Sequence, residues 1–216
     1  MTSGTAILDA RNETKILAKL DKACLRDGRL DPMPAAFYAT VPQNDLSIFC
    51  VRRGFYCLPT VELIEWLRER IGGRKAIEIG AGNGAIGRAL GIPMTDSRQQ
   101  ERPEMAAYYA SLGQATVSYP DDVEKLSAAA AVEKYKPEVV IAAWVTHRYY
   151  THSHELGGNQ WGVDESRLRV ATYIHVGHEG VHAQKPILKR EHETHRLPFL
   201  YSRSMTLKNV VWVWTR

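Results

Sequence analysis

Ala76-Ile-Glu-Ile-Gly-Ala-Gly-Asn-Gly84 decides the fold. Residues 75–79 read as a strand, because Ala76, Ile77 and Ile79 are apolar and a glycine cluster ends the run. Glycines at 80, 82 and 84 then predict a tight strand-to-helix turn. Such a turn leaves bare backbone open to a ligand. Glycines at this spacing also occur in dinucleotide sites and in ordinary turns. Two further residues narrow the reading. Glu78 stands two positions before the first glycine, where a nicotinamide site usually has an apolar residue, and Asp96 ends the next predicted strand, 18 positions on (96 − 78). A carboxylate at that place can accept both hydroxyls of a ribose.

The rest of the chain is read outward from this turn. On its N-terminal side, Thr60 predicts the N-cap of a helix whose Leu63, Ile64, Leu67 and Ile71 share one face, ended by Gly72-Gly73. On the C-terminal side, strands are predicted at 92–95, 115–119, 139–144 and 171–176, with helices at 103–112 and 123–135 and a short one at 164–170. Val139 to Trp144 is apolar throughout, as a central parallel strand should be. Residues 197–202 and 210–214 predict an antiparallel pair at one edge. Strands alternating with helices imply an α/β fold: a Rossmann-like, mostly parallel sheet with helices on both faces and a C-terminal antiparallel hairpin.

Residues 1–55 read as an N-terminal extension and 56–216 as the ligand-binding domain. In the extension, Leu8, Ile16, Leu17 and Leu20 have helical spacing before Gly28. The stretch 31–43, with Pro32, Pro34 and Pro42, reads as loop or extended chain, and 47–51 as a short strand.

The chain has 216 residues, a net charge of +4 and 24% charged residues, and its basic clusters are interleaved with acids. No dense basic stripe marks a nucleic-acid footprint, so composition leaves that partner open. Three cysteines without a CxxC suggest reduced thiols. Neither a signal peptide nor an apolar run long enough to span a bilayer is evident, so a cytoplasmic protein without membrane contact is expected.

Glu78-x-Gly80-x-Gly82-x-Gly84 followed by Asp96 resembles the motif of class I methyltransferases that use S-adenosyl-L-methionine (SAM). The preceding helix and the final antiparallel strands are similar as well, over roughly residues 55 to 216. The resemblance implies that Gly80 to Gly84 contact the amino-acid end of SAM and Asp96 its ribose. Asp122-Val123 would hold the adenine, with Asp121 as the alternative acid. Arg53-Gly-Phe-Tyr-Cys-Leu-Pro-Thr60 is loosely similar to the aromatic-plus-proline stretch before the first strand of some DNA methyltransferases. Ala143-Trp-Val-Thr-His147, however, replaces the acidic or amide residue and Pro-Pro-aromatic run of the adenine enzymes, and the Pro-Cys of the cytosine-C5 enzymes is missing. A DNA base is therefore not the expected acceptor. A small molecule is expected, with nucleic acid still open.

Residues after the apolar central strand face the ligand edge of such a sheet. They make His147 the candidate general base, since imidazole titrates near neutral pH. Trp144, Thr146 and Tyr149, with Tyr150 beside them, become candidate acceptor contacts. Backbone hydrogen bonding for His147 and packing for the aromatic residues are the structural alternatives. His178-Glu-Gly-Val-His182 spells HExxH, which binds zinc only when both histidines share a helix face. The predicted strand end at His178, with Gly180 and Pro186, argues against that helix, and no metal is expected. His152, His154 and His175 show no ligand spacing. A SAM-binding protein without catalysis is the alternative function, and a zinc hydrolase a third.

Overall fold

The computed structural model describes residues 10–149, 158–204 and 206–216. Seven strands form its central sheet: β1 (Ala76–Ile79), β2 (Met94–Asp96), β3 (Val123–Lys125), β4 (Val139–Ala143), β5 (Thr172–His178), β6 (Glu193–His195) and β7 (Asn209–Thr215). They lie in the order β6-β7-β5-β4-β1-β2-β3. β1 to β5 run parallel, whereas β7 is antiparallel to both β5 and β6. This is the α/β, Rossmann-like sheet with a C-terminal antiparallel hairpin that the sequence predicts.

Side chains alternate across the sheet with a period of two, which divides the core into two layers. Val139, Ile141, Ile174 and Val176 point to the face covered by Leu63, Ile64, Leu67 and Ile71. Val140, Ala142, Tyr173 and Trp212 point to the other, against Ala131, Leu168 and Ile187. Both faces are covered, so β4 can be apolar along its length.

Seven α-helices surround the sheet among the described residues: α1 (Ala10–Cys24), α2 (Ala35–Ala39), α3 (Gln43–Arg53), α4 (Val61–Ile71), α5 (Ala85–Leu90), α6 (Pro103–Ser111) and α7 (Ala128–Tyr135). The Thr60 hydroxyl caps α4 by accepting from Leu63 N–H at 3.0 Å, and left-handed Gly72 ends the helix. Leu20, Cys24, Leu30, Tyr38, Phe49 and Phe55 form a separate cluster that also takes in Ala85 of α5. The N-terminal residues thus pack against the helix that follows the glycine turn. The three cysteines are free, and no described helix is long and apolar enough to cross a membrane.

Five local expectations are corrected. Residues 47–51 belong to α3 rather than to a strand, and part of 31–43 is α2. Pro34 and Pro42 occupy the N-cap positions of these helices, at φ −55° and −54°. Proline there directs the chain into a helix without needing its missing N–H. Residues 115–119 form no strand, because Val117 N–H donates to the Gln100 side chain at 2.8 Å and Ala115 N–H to Val51 O at 3.0 Å. The third strand is β3, which occupies the start of the helix expected at 123–135, and Ser127 caps the shorter α7. Finally, β7 pairs with Glu193–His195 rather than with 197–202, of which Tyr201–Ser202 pairs with Cys57–Leu58. A polar strand at the sheet edge escapes an apolar-pattern search.

Candidate functional site

Gly80, Gly82 and Gly84 all adopt left-handed φ values, 59°, 57° and 72°. The turn brings Gly82 N–H within 3.0 Å of Asp96 Oδ2, while Arg98 N–H donates to Oδ1 at 2.7 Å. The carboxylate at the end of β2 is thus anchored to the turn after β1. Burial raises the pKa of Asp96, and these two N–H groups oppose the shift. Glu78 is 2% exposed and accepts from Gly87 N–H at 2.7 Å, in the first turn of α5. Burial pushes its carboxyl up to about 8. A Cβ on Gly87 would lie 2.7 Å from Glu78 Oε2 and would collide with Met94. Gly87 is therefore a fourth required glycine, a role the three-glycine pattern did not reveal.

The carboxyl ends of β1, β2 and β4 open onto a cleft of about 420 Å³. Ligands of open α/β sheets bind at this edge, and the volume is that of a small-molecule site. Gly80 to Asn83 form its floor, Asp96, Val117 and Tyr119 one side, and Trp144 to Thr146 with Trp161 the other. Gly54 to Cys57 and Pro59 also line it, so the Arg53–Thr60 stretch closes the cleft from outside the sheet. Gln100 fixes this junction by donating to Tyr56 Oη at 3.1 Å, and the Tyr56 hydroxyl meets that of Tyr109 at 3.0 Å. Arg102 lies over the Trp161 ring, 5.3 Å from its centre.

Of the residues singled out in the sequence, Glu78, Gly80, Gly82, Asp96, Trp144 and Thr146 meet at this cleft. Gly84 lies beneath it, where a Cβ would come 2.7 Å from Met94 Sδ and 3.0 Å from Val123 Cγ2. Val123 is fully buried with Ala81 and Met94. Asp122 lies outside the cleft and pairs with Arg29 at 2.9 Å. The later start of the third strand explains this, since Asp122 precedes β3 instead of following it. Leu126 and Ser127, which do follow β3, line the cleft.

Trp144 carries the left-handed φ of 57°, strain of the kind that gathers at functional sites in bulky residues. The structure does not bring His147 to the cleft: it is 1% exposed and lines no part of it. Tyr149 lies outside as well, its N–H donating to Asn159 O at 3.3 Å. Tyr150, His152 and His154 fall outside the described residues. Sequence reading missed Tyr56, Gln100 and Trp161 as cleft residues. An isolated tryptophan in the polar loop Asn159-Gln-Trp-Gly162 was the signal available for one of them.

The HExxH stretch is a strand end followed by a turn, with no helix. Glu179 pairs outward with Arg196 at 2.5 Å, and His182 Nδ1 accepts from His178 N–H at 3.0 Å. Among the described residues, no group of three or more histidine, cysteine, aspartate or glutamate side chains is placed to hold a metal ion.

No protein-family model and no curated protein matches this chain. Among solved structures it is similar to the Pyrococcus abyssi tRNA (uracil-54, C5)-methyltransferase in complex with S-adenosyl-L-homocysteine, at 15% identity and a TM-score of 0.39. That alignment covers 71% of this chain but 36% of the enzyme, so the chain spans about a third of its length. A second similarity is to Thermoplasma acidophilum 1320, at 16% identity and a TM-score of 0.33, covering 70% of this chain and 83% of the other.

Proposed function

We propose that the chain is a methyltransferase that binds S-adenosyl-L-methionine in this cleft. The observation that carries the reading is the contact between Gly82 N–H and the Asp96 carboxylate. It joins the two halves of the motif, separated in sequence, into one organised unit on the floor of the cleft. Each Asp96 oxygen accepts one backbone N–H and keeps further acceptor capacity for ribose hydroxyls. The bare backbone from Gly80 to Gly82 would hold the amino-acid end, and Leu126, which lines the cleft, would offer the adenine an apolar contact in place of Asp122-Val123. When bound, the cofactor supplies an activated methyl group for in-line displacement. The protein's part is then to orient the acceptor and exclude water. Trp144, Thr146 and Trp161 serve as that acceptor wall.

A second reading, SAM binding without turnover, is favoured by one observation. His147, the candidate base, lies outside the cleft. An acceptor that loses no proton before transfer needs no such base, so the position of His147 limits the acceptor more than it denies the activity. A small-molecule acceptor fits a cleft of this volume. Calorimetry with SAM, S-adenosyl-L-homocysteine and NAD tests the binding. Affinity for NAD without affinity for SAM would overturn the reading. Transfer of label from SAM into fractionated cell extract distinguishes the enzyme from the non-catalytic binder.

A further inference from the structure

Behind the acceptor wall lies a buried ion pair with no place in the chemistry described so far. Lys185 and Glu165 pair with side chains 0% and 3% exposed. The same ammonium donates to Val145 O at 2.9 Å. Two charges taken out of water add little or nothing to stability compared with an apolar pair of similar volume. Their location suggests what they do instead. Val145 follows Trp144, whose left-handed backbone is tied on its other side by Trp144 N–H donating to Val176 O at 2.8 Å. Val145 also packs so closely on Gly80 that a Cβ there would collide with its Cγ2. One residue further on, Thr146 O accepts from Val163 N–H at 2.9 Å and Thr146 Oγ1 from Asn159 Nδ2 at 2.8 Å. The wall is therefore clamped at each successive residue, and only the Val145 clamp uses a buried charge.

We propose that Lys185, held by Glu165, is a positioning residue that locks the Trp144 to Thr146 wall against the glycine turn. Without its donor, the Val145 carbonyl would turn toward another partner, Trp144 would relax from the left-handed region, and Val145 would leave Gly80. Cleft geometry then depends on a contact from a segment 40 residues away in sequence.

The test replaces both charges by neutral groups of similar size, in Lys185→Met combined with Glu165→Gln, so that neither charge is left buried alone. Fluorine NMR of protein carrying 5-fluorotryptophan reads the wall directly, with the Trp144 line assigned by Trp144→Phe. The Trp144 line is expected to shift or split in the double variant while that of Trp66, in α4, stays in place. Titration with S-adenosyl-L-homocysteine is expected to show affinity about tenfold weaker or more. This second arm alone rests on the proposed function. Wild type that fails to bind the compound would defeat that function, and the fluorine spectrum would still decide the clamp. An unmoved Trp144 line overturns the inference, as does unchanged affinity in a variant whose Trp144 has moved. Should the double variant not fold, wild type labelled with 15N-lysine and 13C-carbonyl valine is expected to show a protected ammonium coupled to the Val145 carbonyl. Absence of that signal overturns the inference equally.

Discussion

The floor of the cleft and its Trp144 wall are built by different means. On the glycine side, Glu78, the turn, Gly87 and Asp96 lie within 19 consecutive residues, and both carboxyl groups are held by backbone N–H groups. On the Trp144 side, the clamps come from Asn159, Val163, Val176 and Lys185, with Glu165 behind them. Both sides bury ionisable groups, yet burial acts on them in opposite directions. It raises Glu78 to about 8 and lowers His182 to about 3, with the neighbouring His175 also well below the ordinary imidazole range. A short motif can organise the cleft floor by itself, whereas the facing wall depends on contacts spread over the C-terminal third of the chain.

The strongest way to break this contrast is Gly82→Val. The residue has φ 57° and faces open cleft, its nearest neighbour to a new Cβ being Val117 at 3.6 Å. Strain should cost about 1–2 kcal/mol of stability, while the branched side chain fills the space proposed for the ligand. Calorimetry should show no SAM binding by a protein that still melts cooperatively. Binding close to wild type would mean that the floor lies elsewhere.

The pH dependence of stability separates the two sides next. His175 and His182 are held neutral when folded, so the unfolded chain takes up protons first as pH falls below 6.5. Stability should therefore decline from about pH 6.5 toward about 3, by a few kcal/mol. Glu78 works the other way. Its stabilising effect is complete below 4.5 and is lost as pH rises through about 8. Urea unfolding across this range should show the acid limb flattened in His182→Gln and the alkaline limb flattened in Glu78→Gln. Both limbs unchanged would place the titrating groups elsewhere.

Asp96→Ala removes the shared acceptor of two backbone N–H groups as well as the proposed ribose contact. SAM affinity should fall by roughly 1.5–3 kcal/mol, measured by titration under conditions where the variant is folded. Asp122→Ala should do least. Its ion pair with Arg29 is partly exposed, with the aspartate side chain 46% accessible, so a stability loss of less than about 1 kcal/mol is expected. SAM affinity should not change, and a clear loss would restore Asp122 to the adenine site.

How much could be read in advance follows this same division. The helix from Val61 to Ile71 is legible because its cap, apolar face and glycine stop are all local. The floor is legible for the same reason, although the need for Gly87 depends on where Glu78 turns. The third strand is not legible because Val117 N–H and Ala115 N–H donate to Gln100 and Val51, which draws residues 115–117 out of the sheet, and neither acceptor is near in sequence. That single shift also moved Asp122 from the end of a strand to its beginning.

By itself, then, the sequence determined the alternation of strands and helices, the glycine turn and the carboxylate paired with it. These are set by backbone geometry and hydrophobic periodicity over a few residues. Tertiary structure alone decided that Trp144 would line the cleft while His147 would not, and that Lys185 would reach Val145. It also decided that Tyr56, from before the sheet, would meet Tyr109 and Gln100 beside the cleft. The physical reason is that buried polar groups must find partners wherever packing brings them, and no local pattern specifies which distant residue that will be.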